Sequence, residues 1–124
     1  IIRFSKVIVI IELNYEVNWR CDMVNINLDL DYSGLIDYLQ IEIIIHFGSL
    51  SSKSRDLDLV IISDDFESMF IHKRLSVTKK YLKTKRNLDL ICLTSDEFIK
   101  LQRNPNEFSA NILITGELLY ERRA

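Results

Sequence analysis

The residues of this chain best suited to chemistry are three aspartates set in apolar sequence. Asp56 and Asp58 open the run Asp56-Leu57-Asp58-Leu59-Val60-Ile61-Ile62, and Asp89 sits inside Leu88-Asp89-Leu90-Ile91-Cys92-Leu93. In an extended strand, residues i and i+2 project from one face, so Asp56 and Asp58 stand side by side while Leu57 and Leu59 point into the core. Two carboxylates aimed at one spot repel each other, and a cation between them removes the conflict. Mg²⁺ meets that demand: it takes oxygen ligands and is held by one or two carboxylates plus the phosphates of a substrate. If the Asp89 strand lies beside the Asp56/Asp58 strand, three acids converge. With two metal ions they form a clamp for phosphoryl chemistry. Gly48-Ser49 precedes them, and a glycine followed by turn N–H groups and a hydroxyl is suited to gripping phosphate oxygens.

The elements that must position these groups are legible as runs and breaks. Ile41 to Phe47 and Leu57 to Ile62 read as strands buried inside a sheet, because their apolar runs are too continuous for one wet face. Leu88 to Leu93 is a third strand. Asp64 with Glu67 has the form of a capping box, which predicts a long helix from there to residues 82–85 with Phe66, Phe70 and Tyr81 in the core. Thr94 with Glu97 repeats the signature ahead of a short helix carrying Phe98 and Leu101, stopped at Asn104-Pro105. Asn106 to Thr115 reads as a last helix capped by Gly116, and "ELLYER" as a closing extended piece. Leu35 to Gln40 is the end of a helix. Upstream, residues 5–18 and the alternating Asn25 to Tyr32 read as strands. Strands alternating with helices predict an α/β or α+β fold, a mixed sheet with helices packed mainly on one face.

Bulk properties narrow the classes. At 124 residues, 48% hydrophobic and 27% charged, the chain is expected to be a single globular domain, residues 1–124. A net charge of −2 gives no overall pull toward nucleic acid or anionic membrane, so any nucleic-acid role must be local. Cys21 and Cys92 form no CxxC pair and suit a reducing cytoplasm. The longest apolar run, Val7 to Ile11, is too short to span a bilayer and argues against a membrane role. The chain starts with Ile1, residues 1–32 carry no motif, and Met23 is expected as an alternative native start.

Other residues have plainer readings. Asp29-x-Asp31 has the spacing of the Asp56 pair without a preceding Gly-Ser, and reads as a solvated edge. His46 reads as a packed residue, His72 as surface, Lys73 to Arg86 as a charged solvated helix face, and Arg55 as a phosphate contact or an offset to the acids.

Taken together, "HFGS" (46–49), "DLDLVIIS" (56–63), "LDLICLT" (88–94) and "ITGELLYER" (114–122) resemble the minimal nucleotidyltransferase family of the DNA-polymerase-β-like superfamily. The resemblance covers residues 41–123 and leaves 1–32 as a poorly matched extension. It implies that Gly48 and Ser49 grip a nucleoside triphosphate, and that Asp56, Asp58 and Asp89 bind two Mg²⁺ ions, Asp89 also helping to activate the attacking hydroxyl. The reaction implied is transfer of a nucleoside monophosphate, AMP from ATP, to a hydroxyl on a protein or an RNA. Family members of this size often pair with a HEPN-type partner protein in toxin-antitoxin systems, which implies adenylylation of such a partner. The spacer between Ser49 and Asp56 holds six residues, shorter than is usual for the family. That shortening is what a degenerate binding module, neutralising a partner by contact alone, would carry.

Overall fold

In the computed structural model, residues 29–47, 56–104, 106 and 116–122 are described in full, together with the backbone pairing of 2–4, 7–9 and 24–25. Strands β1 (Ile2–Phe4) and β2 (Val7–Val9) pair antiparallel, as do β3 (Val24–Asn25) and β4 (Leu30–Asp31). The single strand expected from Asn25 to Tyr32 is therefore two short ones paired with each other. Asp29, at φ 53°, enters β4 from the left-handed region that Asp tolerates better than most residues. The rest of the reading over 5–18 lies outside the described residues.

The central sheet has four strands in the order β7-β6-β5-β8: β5 (Ile41–Phe47), β6 (Asp56–Ser63), β7 (Asn87–Leu93) and β8 (Glu117–Glu121). Strands β5 and β6 are antiparallel, β6 and β7 parallel, and β8 returns antiparallel on the other side of β5. The three apolar runs thus form the strands expected of them, and "ELLYER" is extended because it completes this sheet. The expected helix from Asn106 to Thr115, with its Gly116 cap, lies outside the described residues.

Both faces of the sheet are covered. On one, Ile44, Leu57, Leu59, Ile61, Leu90 and Cys92 pack under Leu35 of α1 (Ser33–Tyr38) and Phe66, with Leu75, Val77 and Tyr81 of α2 (Ile71–Tyr81) against them. On the other, Ile43, Ile45, Phe47, Val60 and Ile62 meet Phe98 and Leu101 of α3 (Ser95–Arg103). Two helices on one face and one on the other is the mixed, unequally covered α/β sheet that the sequence predicts. Among the described residues no helix is long and apolar enough to cross a membrane.

The helix expected from Asp64 is two pieces. Residues Asp64–Ser68 form a 3₁₀ turn capped by Ser63, whose Oγ accepts the Asp65 N–H at 3.2 Å. The chain then extends at Met69 and Phe70 before α2 begins. Asp64 does not cap this turn because its Oδ1 accepts the Ser95 N–H at 3.1 Å, at the start of α3. The break turns Phe70 out of the core to 79% exposure, where its ring lies parallel to that of exposed His72. Arg74, expected on the solvated face, is buried instead: Nε donates to Met69 O at 3.0 Å and holds the corner.

Helix α3 begins as its sequence demands. The Glu97 N–H donates to Thr94 Oγ1 at 3.2 Å and the Thr94 N–H donates to Glu97 Oε1 at 2.8 Å, a complete capping box. Thr94→Ala is expected to lower stability by about 1 kcal/mol, read as a shifted denaturant midpoint with an unchanged slope.

Candidate active site

The parallel register of β6 and β7 decides whether the acids meet. Asp58 pairs with Asp89 and Asp56 with Asn87, while Phe47 of β5 pairs with Asp58 from the other side. Asp58 and Asp89 therefore sit abreast on neighbouring strands and share the sheet face of Val60 and Ile91. Asp58 is half-buried and Asp56 and Asp89 are exposed, so the pair opens to solvent at the N-terminal ends of β6 and β7. The leucines between the acids, Leu57 and Leu59, are fully buried on the opposite face.

The electrostatics match this geometry. Burial pushes the Asp58 carboxyl above its ordinary range, and the Asp89 charge, a hydrogen bond with Asp89 and the Asp56 charge push it the same way, partly offset by His46. Asp58 and Asp89 are thus neighbours in register whose charges act on each other, with Asp56 in electrostatic reach at the mouth. Among the described residues, no three His, Cys, Asp or Glu side chains form a closed metal-binding group. Of the three acids expected to converge, Asp58 and Asp89 are brought abreast, while Asp56 is opposite Asn87 and does not complete a three-residue group.

A hard divalent ion fits this donor set. The ligands are carboxylate oxygens, they repel each other without a counter-charge, and one or two of them plus substrate phosphates is the usual way Mg²⁺ is held. Gly48, Ser49 and Arg55 lie outside the described residues.

His46, on the same strand as Phe47, is 2% exposed, and its Nδ1 lacks a hydrogen-bond partner among the described residues. Burial holds this imidazole below its ordinary value, opposed by Glu117, reinforced by Arg86 and opposed by Asp58. It is a packed residue, as its sequence context suggested, close to the acids yet neutral. Sequence reasoning missed Glu117 as its neighbour: the two meet only through the β5–β8 pairing, which no local pattern announces.

The control pair behaves differently. Asp31 accepts from the Ser33 N–H at 3.0 Å and the Ser33 hydroxyl at 2.6 Å, and Asp29 accepts the Lys85 N–H at 3.0 Å. The intervening Leu30 is 1% exposed. This segment is tied to α1 and to the approach to β7, not a free solvated edge.

Comparison with curated proteins and with solved structures gave no match. A family model, described as polymerase beta nucleotidyltransferase, matches residues 33–124, taking in α1, the whole central sheet and all three aspartates. The match spans most of the chain, so the chain belongs to the polymerase-β nucleotidyltransferase family.

Proposed function

We propose that the chain is a nucleotidyltransferase of the minimal type, with residues 1–124 as one domain and its catalytic core in 41–123. It transfers a nucleoside monophosphate, AMP from ATP, to a hydroxyl on a protein or an RNA and releases pyrophosphate. The observation that carries this reading is the in-register placement of Asp58 and Asp89 on parallel strands, where the Asp89 charge acts on the Asp58 carboxyl. Asp58 and Asp89 would hold Mg²⁺ together with the substrate phosphates, and the ion would supply charge neutralisation for the transferring group. Asp58 and Asp89 orient the triphosphate by the ligand positions they hold, and Asp56 supports them from the mouth. Asp89, the more exposed of the pair, is placed to take the proton of the incoming hydroxyl. Gly48 and Ser49 grip the phosphate tail.

The setting that fits a transferase of this size is a toxin-antitoxin pair in the cytoplasm, where adenylylation of a HEPN-type partner protein silences it. Incubation with α-labelled ATP, Mg²⁺ and the product of the adjacent gene should move label onto that partner. A second reading is a degenerate module that neutralises the partner by contact alone; it is favoured by the short Ser49–Asp56 spacer and by the lack, among the described residues, of a three-residue group that could hold a metal ion. Neutralisation that survives Asp56→Asn/Asp58→Asn, with no label transferred by the wild type, would establish the second reading and sink the first.

The raised Asp58 carboxyl makes a further prediction. A group whose folded value lies above its unfolded value binds more protons in the fold, so stability rises as pH falls from neutrality toward the ordinary aspartate value of 3.8. Mg²⁺ requires the ionised pair, so wherever the pH is low enough to protonate Asp58 its binding displaces that proton and weakens. Melting curves should show a larger Mg²⁺-induced rise in Tm at pH 8 than at pH 5.5. Equal rises at both would count against a shared site at Asp58.

A further inference from the structure

The most uneven charge distribution in the chain lies beside the active-site edge. Lys79-Lys80-Tyr81-Leu82-Lys83-Thr84-Lys85-Arg86 holds five of the 16 basic residues and none of the 18 acidic ones. The segment runs from the end of α2 to Asn87, the first residue of β7, which pairs with Asp56. It is anchored by a bridge to β4, with N–H to O contacts of 2.8 and 2.9 Å between Asp31 and Lys83. Lys79, Lys80, Lys83 and Lys85 are exposed, and none makes an ion pair within 4.0 Å among the described residues.

An aromatic platform stands in the same layer. Tyr38 of α1 stacks on Tyr81 with ring centroids 4.2 Å apart and planes 16° apart, and Lys80 Nζ lies 5.6 Å from the Tyr81 centroid. Tyr38 is 56% exposed, so one tyrosine face is held out to solvent by a partner ring behind it. Gly34 permits this arrangement: a Cβ there would lie 3.2 Å from Tyr81 O, so a side chain would force α1 away from α2. Next along the chain, Leu30, Leu82, Lys83, Thr84 and Lys85 line an open surface depression, and Tyr38 lines a separate one with Gln40 and Arg122. The two acids in the wall of the first hold the segment in place: Asp29 accepts the Lys85 N–H, and Asp31 accepts from Ser33 and attracts Lys83, which leaves Lys79, Lys80 and Lys85 as the lysines with no acid acting on them among the described residues.

A basic track beside an exposed, pre-stacked ring is the combination that holds single-stranded nucleic acid, the lysines following phosphates and the ring taking a base. Acidic peptide would use the charges and leave the ring without purpose. We propose that this stripe binds a single-stranded polynucleotide and supplies the acceptor hydroxyl, a strand leaving Lys85 over the end of the sheet toward Asp58. The word acceptor rests on the transferase reading; the binding does not.

The test uses the full chain and a fluorescein-labelled adenylate 12-mer RNA, read by anisotropy without ATP or Mg²⁺. Tyr38→Ala is expected to raise Kd about tenfold, the effect of losing one stacked base, whereas Tyr38→Phe keeps wild-type binding. Lys83→Ala/Lys85→Ala should flatten the slope of log K against log salt by about 1.4, the loss of two single-strand phosphate contacts. The proposal is overturned if the wild type shows no saturable binding, if Lys100→Ala on α3 weakens it as much as the stripe variants, if the 12-mer annealed to its complement binds equally, or if polyglutamate displaces it as well as RNA does. With ATP and Mg²⁺ added, label should appear on the 12-mer. Label on a protein alone would overturn the acceptor assignment, while no label on any acceptor would instead refute the transferase reading and leave strand binding to stand by itself.

Discussion

Asp58→Asn is expected to reduce nucleotidyl transfer about 10³-fold or more, because metal stabilisation of transferring phosphates is worth several kcal/mol and each factor of ten is about 1.4 kcal/mol. The same variant should be more heat-stable than the wild type when no divalent ion is present. Asp58 is half-buried beside Asp89 and under the influence of Asp56, so its charge is a cost of the apo fold. An asparagine keeps the shape and offers an N–H to the Asp89 carboxylate. The two effects have opposite signs, which separates a functional acid from a structural one: a structural carboxylate would lose stability on neutralisation. Label transfer and Tm measured on one preparation decide it, and a destabilised variant with undiminished transfer would contradict the assignment.

The largest stability effect is expected at Arg74. Its guanidinium donates to Glu97 Oε1 at 2.7 Å, to Cys92 O at 3.2 Å and to Met69 O at 3.0 Å, joining α2, β7, α3 and the corner before α2. Its carbon also lies 5.9 Å from the centre of the Phe66 ring. Arg74→Ala leaves a buried carbonyl and a half-buried carboxylate without their donor, and is expected to cost about 2–4 kcal/mol, the Glu97 side discounted for its exposure. Arg74→Lys should recover only part of this, since one ammonium cannot reproduce a planar fork that serves three acceptors. Denaturant midpoints check both. Burial raises the Glu97 carboxyl, but the Thr94 N–H, Arg74 and the Thr94 hydroxyl together bring it below its ordinary value. Its contribution is therefore present at neutral pH and is lost as pH falls through that lowered value, and Arg74→Ala should flatten this part of the acid limb.

Much of this architecture could be read from the residues, for identifiable reasons. Ile43-Ile44-Ile45 and Leu59-Val60-Ile61-Ile62 announce strands buried on both faces because only such strands tolerate unbroken apolar runs. Thr94 and Glu97 announce α3 because their reciprocal hydrogen bonds are local. The misreadings arise where a long-range partner outbids a local one. Asp64 looked like a cap for its own helix, but the Ser95 N–H claims it. Arg74 looked like one more surface charge in a basic helix, but Cys92 O and Glu97 draw it inward. Phe70 looked like core at helical spacing, and the break at Met69 reverses it. The acids themselves were legible as chemistry, yet their meeting was not: the Asp58–Asp89 register depends on the β6-α2-β7 crossover returning the chain parallel to β6, which periodicity alone does not fix.

The measurement that tests the central claim most directly is a calorimetric titration of Mg²⁺ into the protein saturated with a non-hydrolysable ATP analogue, run in two buffers of different ionisation enthalpy. Saturable binding in the wild type, with a proton release that grows as the pH is lowered, and loss of both in Asp58→Asn and in Asp89→Asn, is the predicted result. Unchanged Mg²⁺ binding in either variant would show that these two carboxylates do not share an ion.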